Sequence, residues 1–513
     1  MKIKVNKKVK IFLILLLFGL GFYLRMVNYL NFSIFKGDEG NHFLIFDNFL
    51  RFGQLGITGE GSSLGDKNLY FHNLPYSLYF EMIIFILSGQ SPLTYMFFYV
   101  LLSLFLAWLI WQIARNLSDE KAGLLALFLI IFSGQAIENS TFASQPTNAI
   151  LFEAMSLYFY SLFYRKGKKT LFILSFAFGV FALHMYPPMY LFLPIKIIFL
   201  LVNFSKIILQ NKKVILICSL ILVLSYLPLI INELNYYGQE SSNLWNVKNF
   251  LIQSETASKK VYSQLFGDFI RQSWLILKSN TYCIDFHFYT LAAPFWLLII
   301  FSSFFVKKNK KKQVIYLFLS VITPVIIAGF LMSSGIIEDF LSRAYFHNTL
   351  IYIVLLSAIT LSRKLKIAAI LIVAIIVFNF KKPEKIVSIS FFEKQEVAKQ
   401  IISNSKQRSL SLEEINIRVL NDKYGNNDGN WDNSMYWYFL QKNSKKQLVS
   451  VTYPFLTPDL ISGNTRITYL ICENYQGLLK LGECQKKAEF LYPKGIIQNL
   501  SYNKKLDLIA IYE

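Results

Sequence analysis

The chain has 513 residues, of which 54% are hydrophobic, and a formal net charge of +21. Repeated apolar runs, close to the ~20 residues that cross a bilayer as a helix, exclude a soluble globular protein. Lys and Arg clusters lie between these runs and form no single basic stripe. They therefore indicate membrane topology and argue against a nucleic-acid partner.

The N-terminal segment starts with a basic stretch, as a signal peptide does, but no small-residue cleavage site follows its apolar run. We therefore predict that this run is retained as the first membrane span. The cysteines show no paired C-x-x-C spacing, so they indicate neither a zinc site nor a redox site. Cys472 and Cys484 could form a disulfide bond if their domain lies outside the cell.

The apolar runs predict a polytopic α-helical membrane protein with about eleven transmembrane helices. The predicted spans are 9–30, 92–113, 121–138, 146–164, 170–185, 187–204, 213–232, 289–306, 313–332, 346–362 and 367–380. A shorter run at 74–89 contains Glu81. We interpret it as a juxtamembrane helix along the outer surface, with Glu81 facing water. With this interpretation nearly every basic cluster falls on the cytoplasmic side, as the positive-inside rule expects.

This topology places the N-terminus in the cytoplasm and the chain in the cytoplasmic membrane. Residues 1–380 form the predicted transmembrane domain, with external loops at 31–91 and 233–288. In the rest of the chain, apolar runs shorten and predict strands in EINIRVLND (414–422), QLVSVTY (447–453), RITYLIC (466–472) and LDLIAIY (506–512), with helices at 391–406 and 431–442. We expect 381–513 to form a small extracytoplasmic α/β domain.

Two adjacent carboxylates, Asp38 and Glu39, follow the first span. One interpretation is structural: Asp38 caps a helix that begins at Glu39, and the helix dipole favours the charge of Glu39. The other is catalytic, since two carboxylates near a low-dielectric boundary shift each other's pKa values. His42 lies one helical turn beyond Asp38 and so shares its face.

The segment LRMVNYLNFSIFKGDEGNHFLIFDNFLRFG (24–53) resembles the start of the multi-span type C glycosyltransferases that use polyprenyl-phosphate sugars. That branch includes protein O-mannosyltransferases and lipid A aminoarabinose transferases. FHNLPYSLYFEMIIFILSG (71–89) is similar to the family's interfacial segment at His72, Pro75 and Tyr76. RNLSDEKAGLLALFLIIFSG (115–134) resembles its second cytoplasmic turn and third span, and LSRAYFHNTLIYIVLLSA (341–358) resembles its late Arg-Tyr-Phe motif.

The resemblance implies an inverting glycosyltransferase that moves a sugar from a polyprenyl-phosphate carrier to an extracytoplasmic hydroxyl acceptor on a protein, glycolipid or glycan. Asp38 is then the general base, and Glu39 supports it or holds a divalent cation. The candidate contacts to the donor phosphate or sugar are His72, Arg343, His42, His184 and Tyr186.

The candidate donor contacts have structural alternatives. His42 could be a plain interfacial histidine, and Arg343 could extend to the interface without binding phosphate. Many relatives carry a second acidic residue near the outer start of the fourth span, where this chain has Gln145. A neutral amide is a poorer divalent ligand than a carboxylate, so Glu39 and Glu138 are the candidate metal ligands.

Two other functions remain open. A transporter or flippase for lipid-linked sugars would place ionisable groups near the bilayer midplane, often in duplicated halves. Here the candidate residues are predicted at one rim and the halves show no evident duplication, which favours the transferase. A membrane-anchored interaction protein is the third interpretation.

Overall fold

The computed structural model describes residues 7–32, 37–53, 61–63, 70–72, 75–198, 211–236, 267–275, 292–304, 306, 310–333, 349–362, 391–421, 433–444, 446–452, 457–460, 465–473, 483–493, 495–500 and 506–512. The chain divides into two compact units. The first comprises Met1–Tyr29, Ile57–Ile84 and Leu93–Lys381. The second comprises Leu30–Gly56, Phe85–Pro92 and Lys382–Glu513. The second unit therefore includes more than the tail, and the predicted division between 1–380 and 381–513 stays a prediction.

Most of the described elements are helical. The α-helices are α1 Lys7–Phe32, α2 Gly37–Phe52, α3 Tyr76–Leu87, α4 Pro92–Leu117, α5 Glu120–Ile131, α6 Gly134–Glu138, α7 Gln145–Lys166, α8 Lys169–Met185, α9 Lys212–Tyr236, α10 Ala292–Phe304, α11 Lys311–Ser333, α12 Thr349–Leu361, α13 Phe391–Gln407, α14 Ser434–Lys442 and α15 Glu483–Leu491. The strands are β1 Gly61–Ser63, β2 Tyr70–His72, β3 Ile415–Asn421, β4 Val449–Thr452, β5 Thr457–Leu460, β6 Ile467–Glu473, β7 Ile496–Asn499 and β8 Leu506–Tyr512.

Within the described residues, four helices are long and apolar enough to cross a membrane: Lys8–Val27, Pro92–Leu117, Lys212–Asn235 and Lys311–Phe330. A fifth results if Glu120–Ile131 and Gly134–Thr141, bent by 61°, form one broken span. Other predicted spans correspond to shorter helices, such as α8 with 17 residues and α12 with 13. The span predicted at 367–380 lies outside the described residues. The chain is thus a helical, multi-span membrane protein, and the count of eleven stays a prediction.

Local sequence explains where several helices of the first unit begin and end. The Asp119 side chain accepts a hydrogen bond from the Ala122 N–H and so caps α5. Ser133 caps α6 in the same way through the Ala136 N–H, which marks the bend after α5. α7 has a proline in its first turn and ends at Gly167, whose φ of 66° lies in the left-handed region that glycine adopts without strain.

The second unit contains a four-stranded mixed sheet with the strand order β3-β6-β8-β7. β3 pairs with β6 in parallel, with Ile415 opposite Ile467, whereas β8 is antiparallel to β6 and β7. A disulfide bond between Cys472 and Cys484 joins β6 to α15. Each strand predicted in the tail matches an observed strand, and α13 and α14 match the two predicted helices; β6 and α13 each extend one residue beyond the predicted range.

One orientation predicted from the sequence is wrong. Glu81 does not face water, because its side chain in α3 is 0% exposed. The serine one turn earlier on the same helix and polar groups on α4 and α7 donate hydrogen bonds to it. These hydrogen bonds offset the unfavourable free energy of removing the carboxylate from water.

Candidate functional site

The acidic pair lies at the start of α2. Asp38 and Glu39 occupy the first turn of this helix, where the unpaired backbone N–H groups favour negative charge. The helix ends at Gly53, whose φ of 73° suits glycine. The side chains of Asp38 and Glu39 lie outside the described part of the structure. Their catalytic roles stay predictions. α2 begins at Gly37 and not at Glu39, so Asp38 lies within the first turn and does not occupy the predicted N-cap position.

The middle of α2 is buried within the second unit, against α14. Phe43 contacts Tyr438 of α14, with ring centroids 5.5 Å apart, and Phe85, at 5.4 Å. The Asn41 amide oxygen accepts a hydrogen bond from the Ser434 hydroxyl. His42 is 2% exposed, so its imidazole belongs to this packed interior, and its predicted contact with the donor stays a prediction.

A second set of polar contacts joins the end of α2 to the end of α14. The Gln441 amide Nε2 donates to Asp47 Oδ2 at 2.9 Å and to Asn48 Oδ1 at 2.8 Å. Arg51 donates to the backbone oxygens of Gln441 and Ser444, at 2.8 and 2.5 Å, and to Asp47 at 3.2 Å. The Asp47 carboxylate is thus buried together with its hydrogen-bond partners, whereas Arg51 reaches it from the exposed side of the contact.

The environment of Tyr438 also reflects this packing. Burial, and secondarily the carboxylate of Asp47, raises the pKa of the Tyr438 hydroxyl above its ordinary value. Both effects disfavour the phenolate, the first by desolvation and the second by charge repulsion. Tyr438 therefore stays neutral at ordinary pH and donates to the backbone oxygen of Gln90 at 3.3 Å.

In the first unit, Glu81 is the centre of a buried polar cluster. Ser77 and Asn148 donate to its Oε1, at 3.0 and 2.7 Å, and Tyr95 donates to its Oε2 at 3.1 Å. Tyr99 in turn donates to the Asn148 amide oxygen at 3.0 Å. The cluster thus connects α3, α4 and α7. The sequence signal for it was a single ionisable residue inside an apolar run, which is seldom tolerated without partners.

His184 lies at the end of α8 in a cluster of hydroxyl groups. Its Nδ1 is 3.0 Å from the Tyr190 hydroxyl, and its Nε2 is 2.8 Å from the Ser225 hydroxyl. The ring of Tyr226 packs edge-on against it, at 4.4 Å between centroids. Both His184 and Tyr186 are buried, at 3% and 7% exposed. Their predicted role in donor binding stays a prediction.

A buried ion pair that no sequence pattern predicted joins Glu153 of α7 to Lys196. Glu153 is 0% exposed and pairs with Lys196 Nζ at 2.5 Å. The Tyr352 hydroxyl of α12 also donates to this carboxylate. The three residues are distant in sequence, and no local pattern connects them.

The remaining predicted residues are only partly described. The backbone of His72 is in β2, but its side chain lies outside the described part, and Arg343 lies wholly outside it. Glu138 ends α6 and is exposed. In the described part of the chain, no three His, Cys, Asp or Glu residues cluster as a metal site would require. Metal binding by Glu39 and Glu138 stays a prediction.

Comparison with protein families supports the resemblance seen in the sequence. Residues 72–231, less than a third of the chain, match the family described as dolichyl-phosphate-mannose-protein mannosyltransferase. Over this part of the chain, the predicted similarity to polyprenyl-phosphate-dependent glycosyltransferases is confirmed. No curated protein sequence matches the chain.

Among solved structures, the chain is similar to the Archaeoglobus fulgidus oligosaccharyltransferase in complex with zinc and sulfate. The TM-score is 0.49 at 13% identity, covering 90% of this chain and 68% of that one. A structure of the archaeal oligosaccharyltransferase AglB from Archaeoglobus fulgidus, in complex with an inhibitory peptide and a dolichol-phosphate, gives a TM-score of 0.46 at 13% identity, covering 91% of this chain and 69% of that one. ArnT from Cupriavidus metallidurans bound to undecaprenyl phosphate gives 0.43 at 11% identity, covering 97% of both chains.

Proposed function

We propose that this protein is an inverting glycosyltransferase of the cytoplasmic membrane that moves a sugar from a polyprenyl monophosphate carrier to an extracytoplasmic hydroxyl acceptor. The observation that carries the proposal is the match of residues 72–231 to the mannosyltransferase family. The Asp38–Glu39 pair supports it independently of that match, because it lies outside the matched residues. The acceptor is a protein, a glycolipid or a glycan.

The chemistry needs few protein groups, because a glycosyl phosphate already carries a good leaving group. Asp38 takes the proton of the acceptor hydroxyl as its oxygen attacks the anomeric carbon. The bond between that carbon and the phosphate oxygen breaks, and the electron pair leaves with the polyprenyl phosphate. Attack from the face opposite the leaving group inverts the anomeric centre. Glu39, next to Asp38 at the start of α2, supports Asp38 in this role.

The developing charge on the departing phosphate calls for cationic or hydrogen-bonding groups. Arg343 is the candidate for bidentate phosphate binding, since a guanidinium presents two parallel donors to phosphate oxygens. His72, His42, His184 and Tyr186 are further candidates for contacts to the phosphate or sugar. A divalent cation held by Glu39 and Glu138 would add charge at the phosphate, but the reaction above does not require it.

The proposed topology has about eleven spans, a cytoplasmic N-terminus and an extracytoplasmic C-terminal α/β domain. The disulfide bond between Cys472 and Cys484 supports the outer location of that domain, because such bonds persist in oxidising compartments. An outer reaction site also accounts for a lipid-linked donor, since nucleotide sugars are supplied in the cytoplasm.

The ion pair between Glu153 and Lys196 favours a second function. Ionisable residues inside the apolar helices of membrane proteins often line transport pathways, and α9 and α11 each contain an internal proline, as broken transporter helices do. A flippase for lipid-linked sugars would use such features. It would move the donor across the bilayer with the glycosyl phosphate bond intact.

The deciding experiment follows the donor in reconstituted vesicles. The full-length protein is supplied with synthetic polyprenyl-phosphate sugars and a panel of hydroxyl acceptors, and the lipids are extracted and separated. A transferase releases free polyprenyl phosphate together with a glycosylated acceptor of inverted configuration. Translocation of intact donor without either product would overturn the proposal in favour of the flippase. Glu396→Gln, an exposed carboxylate on α13, is the control variant and should match the wild type.

A further inference from the structure

We infer that the C-terminal part of the chain positions α2 for the proposed reaction, and that Gln441 is the main positioning residue. This inference rests on the proposed function, because it assigns Asp38 at the start of α2 as the base. Its structural part depends only on residues of the second unit. The C-terminal domain then contributes to catalysis by holding a helix of the N-terminal region.

The first contact between the helices is close to the acidic pair. Gly40 lies two residues after Asp38, and a Cβ added there would come within 2.7 Å of the Met435 backbone nitrogen and 3.0 Å of Ser434 Cβ. Real Cβ atoms essentially never approach backbone so closely. Only glycine therefore lets the first turn of α2 lie against the first turn of α14. The hydrogen bond between Asn41 and Ser434 forms in the same place.

The second contact is at the opposite end of α2. Asp47 follows Asp38 by nine residues, or about 13 Å along a helix rising 1.5 Å per residue. Gln441 contacts α2 here, and both its amide nitrogen and its amide oxygen form hydrogen bonds. Its Nε2 donates to Asp47 and Asn48, and its Oε1 accepts from the Leu448 N–H at 3.3 Å. The contacts at Gly40 and Asp47 are seven residues apart, or about 10 Å along α2, so together they fix both the rotation of α2 and its shift along its axis.

The chemistry of position 441 explains why an amide is needed there. Glutamate would keep the acceptor but bring a negative charge to the Asp47 carboxylate, and leucine would keep the bulk but leave buried polar partners unsatisfied. Gln441 is 0% exposed and Asp47 is 2% exposed, so water cannot replace the lost bonds without opening the contact. At this end of α2, the contact with α14 thus needs a side chain with both a donor and an acceptor.

Positioning of this kind acts on the rate of the chemical step. A displacement of about 1 Å at a reacting group can cost about 10²-fold in rate. We therefore expect Gln441→Leu to lower kcat for sugar transfer by roughly 10-fold to 100-fold, with the KM for the donor unchanged. The adjacent Lys442 is exposed on the same helix, and Lys442→Gln should keep wild-type kcat.

A double-mutant cycle separates positioning from general damage to the fold. If Gln441 acts through Asp38, Gln441→Leu should reduce the residual turnover of Asp38→Asn by less than twofold. An equal loss of kcat in both backgrounds would overturn the inference. So would full kcat in Gln441→Leu.

A cross-link tests the arrangement without relying on the stability of the Gln441 variants. Asn41→Cys and Ser434→Cys are combined with Cys218→Ser, which removes the free cysteine found in the described part of the chain. We expect oxidation to join positions 41 and 434 in the full-length protein and to leave transfer within about twofold of the reduced form. Loss of transfer on oxidation, restored by reduction, would show that α2 must leave α14 and would overturn the inference.

The same preparation tests the proposed function and the positioning of α2 separately. A wild-type protein that transfers no sugar from any polyprenyl donor rejects the proposed function, whereas the cross-linking yield still reports whether α2 lies on α14. A high transfer rate together with no cross-link rejects the inference alone.

Discussion

Glu81 is the residue whose environment differs most from its predicted one. Its carboxylate accepts hydrogen bonds from α3, α4 and α7, and it is completely buried. A buried acceptor of this kind contributes little net free energy while its bonds are made. Its removal leaves donors without acceptors, at a cost of about 1–3 kcal/mol for each buried group.

Glu81→Leu should therefore lower the thermal unfolding temperature of the full-length protein in detergent. Asn148 and Tyr95 would each lose an acceptor, so the expected loss is on the order of 2–6 kcal/mol in the free energy of unfolding. Glu138→Leu replaces an exposed carboxylate and serves as the control, with little change expected. Equal unfolding temperatures for the two variants would contradict the account of Glu81.

The prediction failed at Glu81 for a physical reason. The hydrophobic pattern of 74–89 correctly indicated a short apolar helix, but the direction of one side chain depends on tertiary partners. Asn148 is 67 residues away in sequence and supplies the shortest of those hydrogen bonds. The placement of Gln441 beside Asp47 has the same origin, because their positions are separated by 394 residues. Local periodicity carries no information on either contact.

At the scale of elements, Glu153 and Lys196 join α7 to the short helix at 193–198. The pair is buried, with side chains 1% and 14% exposed, so both charges have lost most of their water. Attraction between the charges and the Tyr352 hydrogen bond offset this desolvation. Removing one partner leaves an unpaired buried charge, whereas replacing both partners by apolar groups leaves no buried charge.

Glu153→Leu alone should lower the free energy of unfolding by about 3–5 kcal/mol. Combining it with Lys196→Met should restore most of that loss. Thermal unfolding of the single and double variants in detergent measures both. A double variant less stable than Glu153→Leu would show that the pair is not the reason for the loss.

Tyr469 connects β6 to α13 in the second unit, where its hydroxyl donates to Asn404 Oδ1 at 2.7 Å. Burial raises the pKa of Tyr469 from 10.0 to about 12. Because the folded state holds this proton more tightly than the unfolded state, the contribution to stability is complete below pH 10.0 and is lost as pH rises towards about 12.

The unfolding temperature of Tyr469→Phe should therefore fall less steeply than that of the wild type as pH rises through the alkaline range, because phenylalanine does not titrate. At neutral pH the same variant loses about 1 kcal/mol with the hydrogen bond. The measurement is the unfolding temperature as a function of pH, with Tyr164→Phe, at an exposed position, as the control. An identical slope in Tyr469→Phe and the wild type between about pH 10 and about 12 would contradict the assignment.

The elements of the tail were the most predictable part of the fold. RITYLIC became β6 and LDLIAIY became β8, because runs of β-branched and aromatic residues favour strands. The order of strands was not predictable, since the parallel pairing of β3 with β6 joins segments that α14 and two strands separate in sequence. The inclusion of α2 in the second unit was equally unpredictable, because a Cβ added at Gly40 would meet atoms of residues 434 and 435, almost 400 positions away in the chain.

For the molecule as a whole, apolar runs and basic clusters indicate a multi-span membrane protein. The family match at 72–231 supports the proposed function, which is sugar transfer from a lipid-linked donor. The candidate site could be predicted only in part. The acidic pair stood out from its sequence context at the end of the first span. Its proposed partners could be named only from the family resemblance, because residues far apart in the chain leave no local pattern.

The proposed mechanism requires Asp38 to be the general base of a lipid-dependent glycosyl transfer. It is tested most directly by kcat for transfer from the best polyprenyl-phosphate sugar, compared between wild type and Asp38→Asn in the same vesicles. We expect kcat to fall by about 10²–10⁴-fold in Asp38→Asn, with donor binding retained, because asparagine cannot take the proton from the acceptor hydroxyl. Wild-type turnover in Asp38→Asn would contradict it.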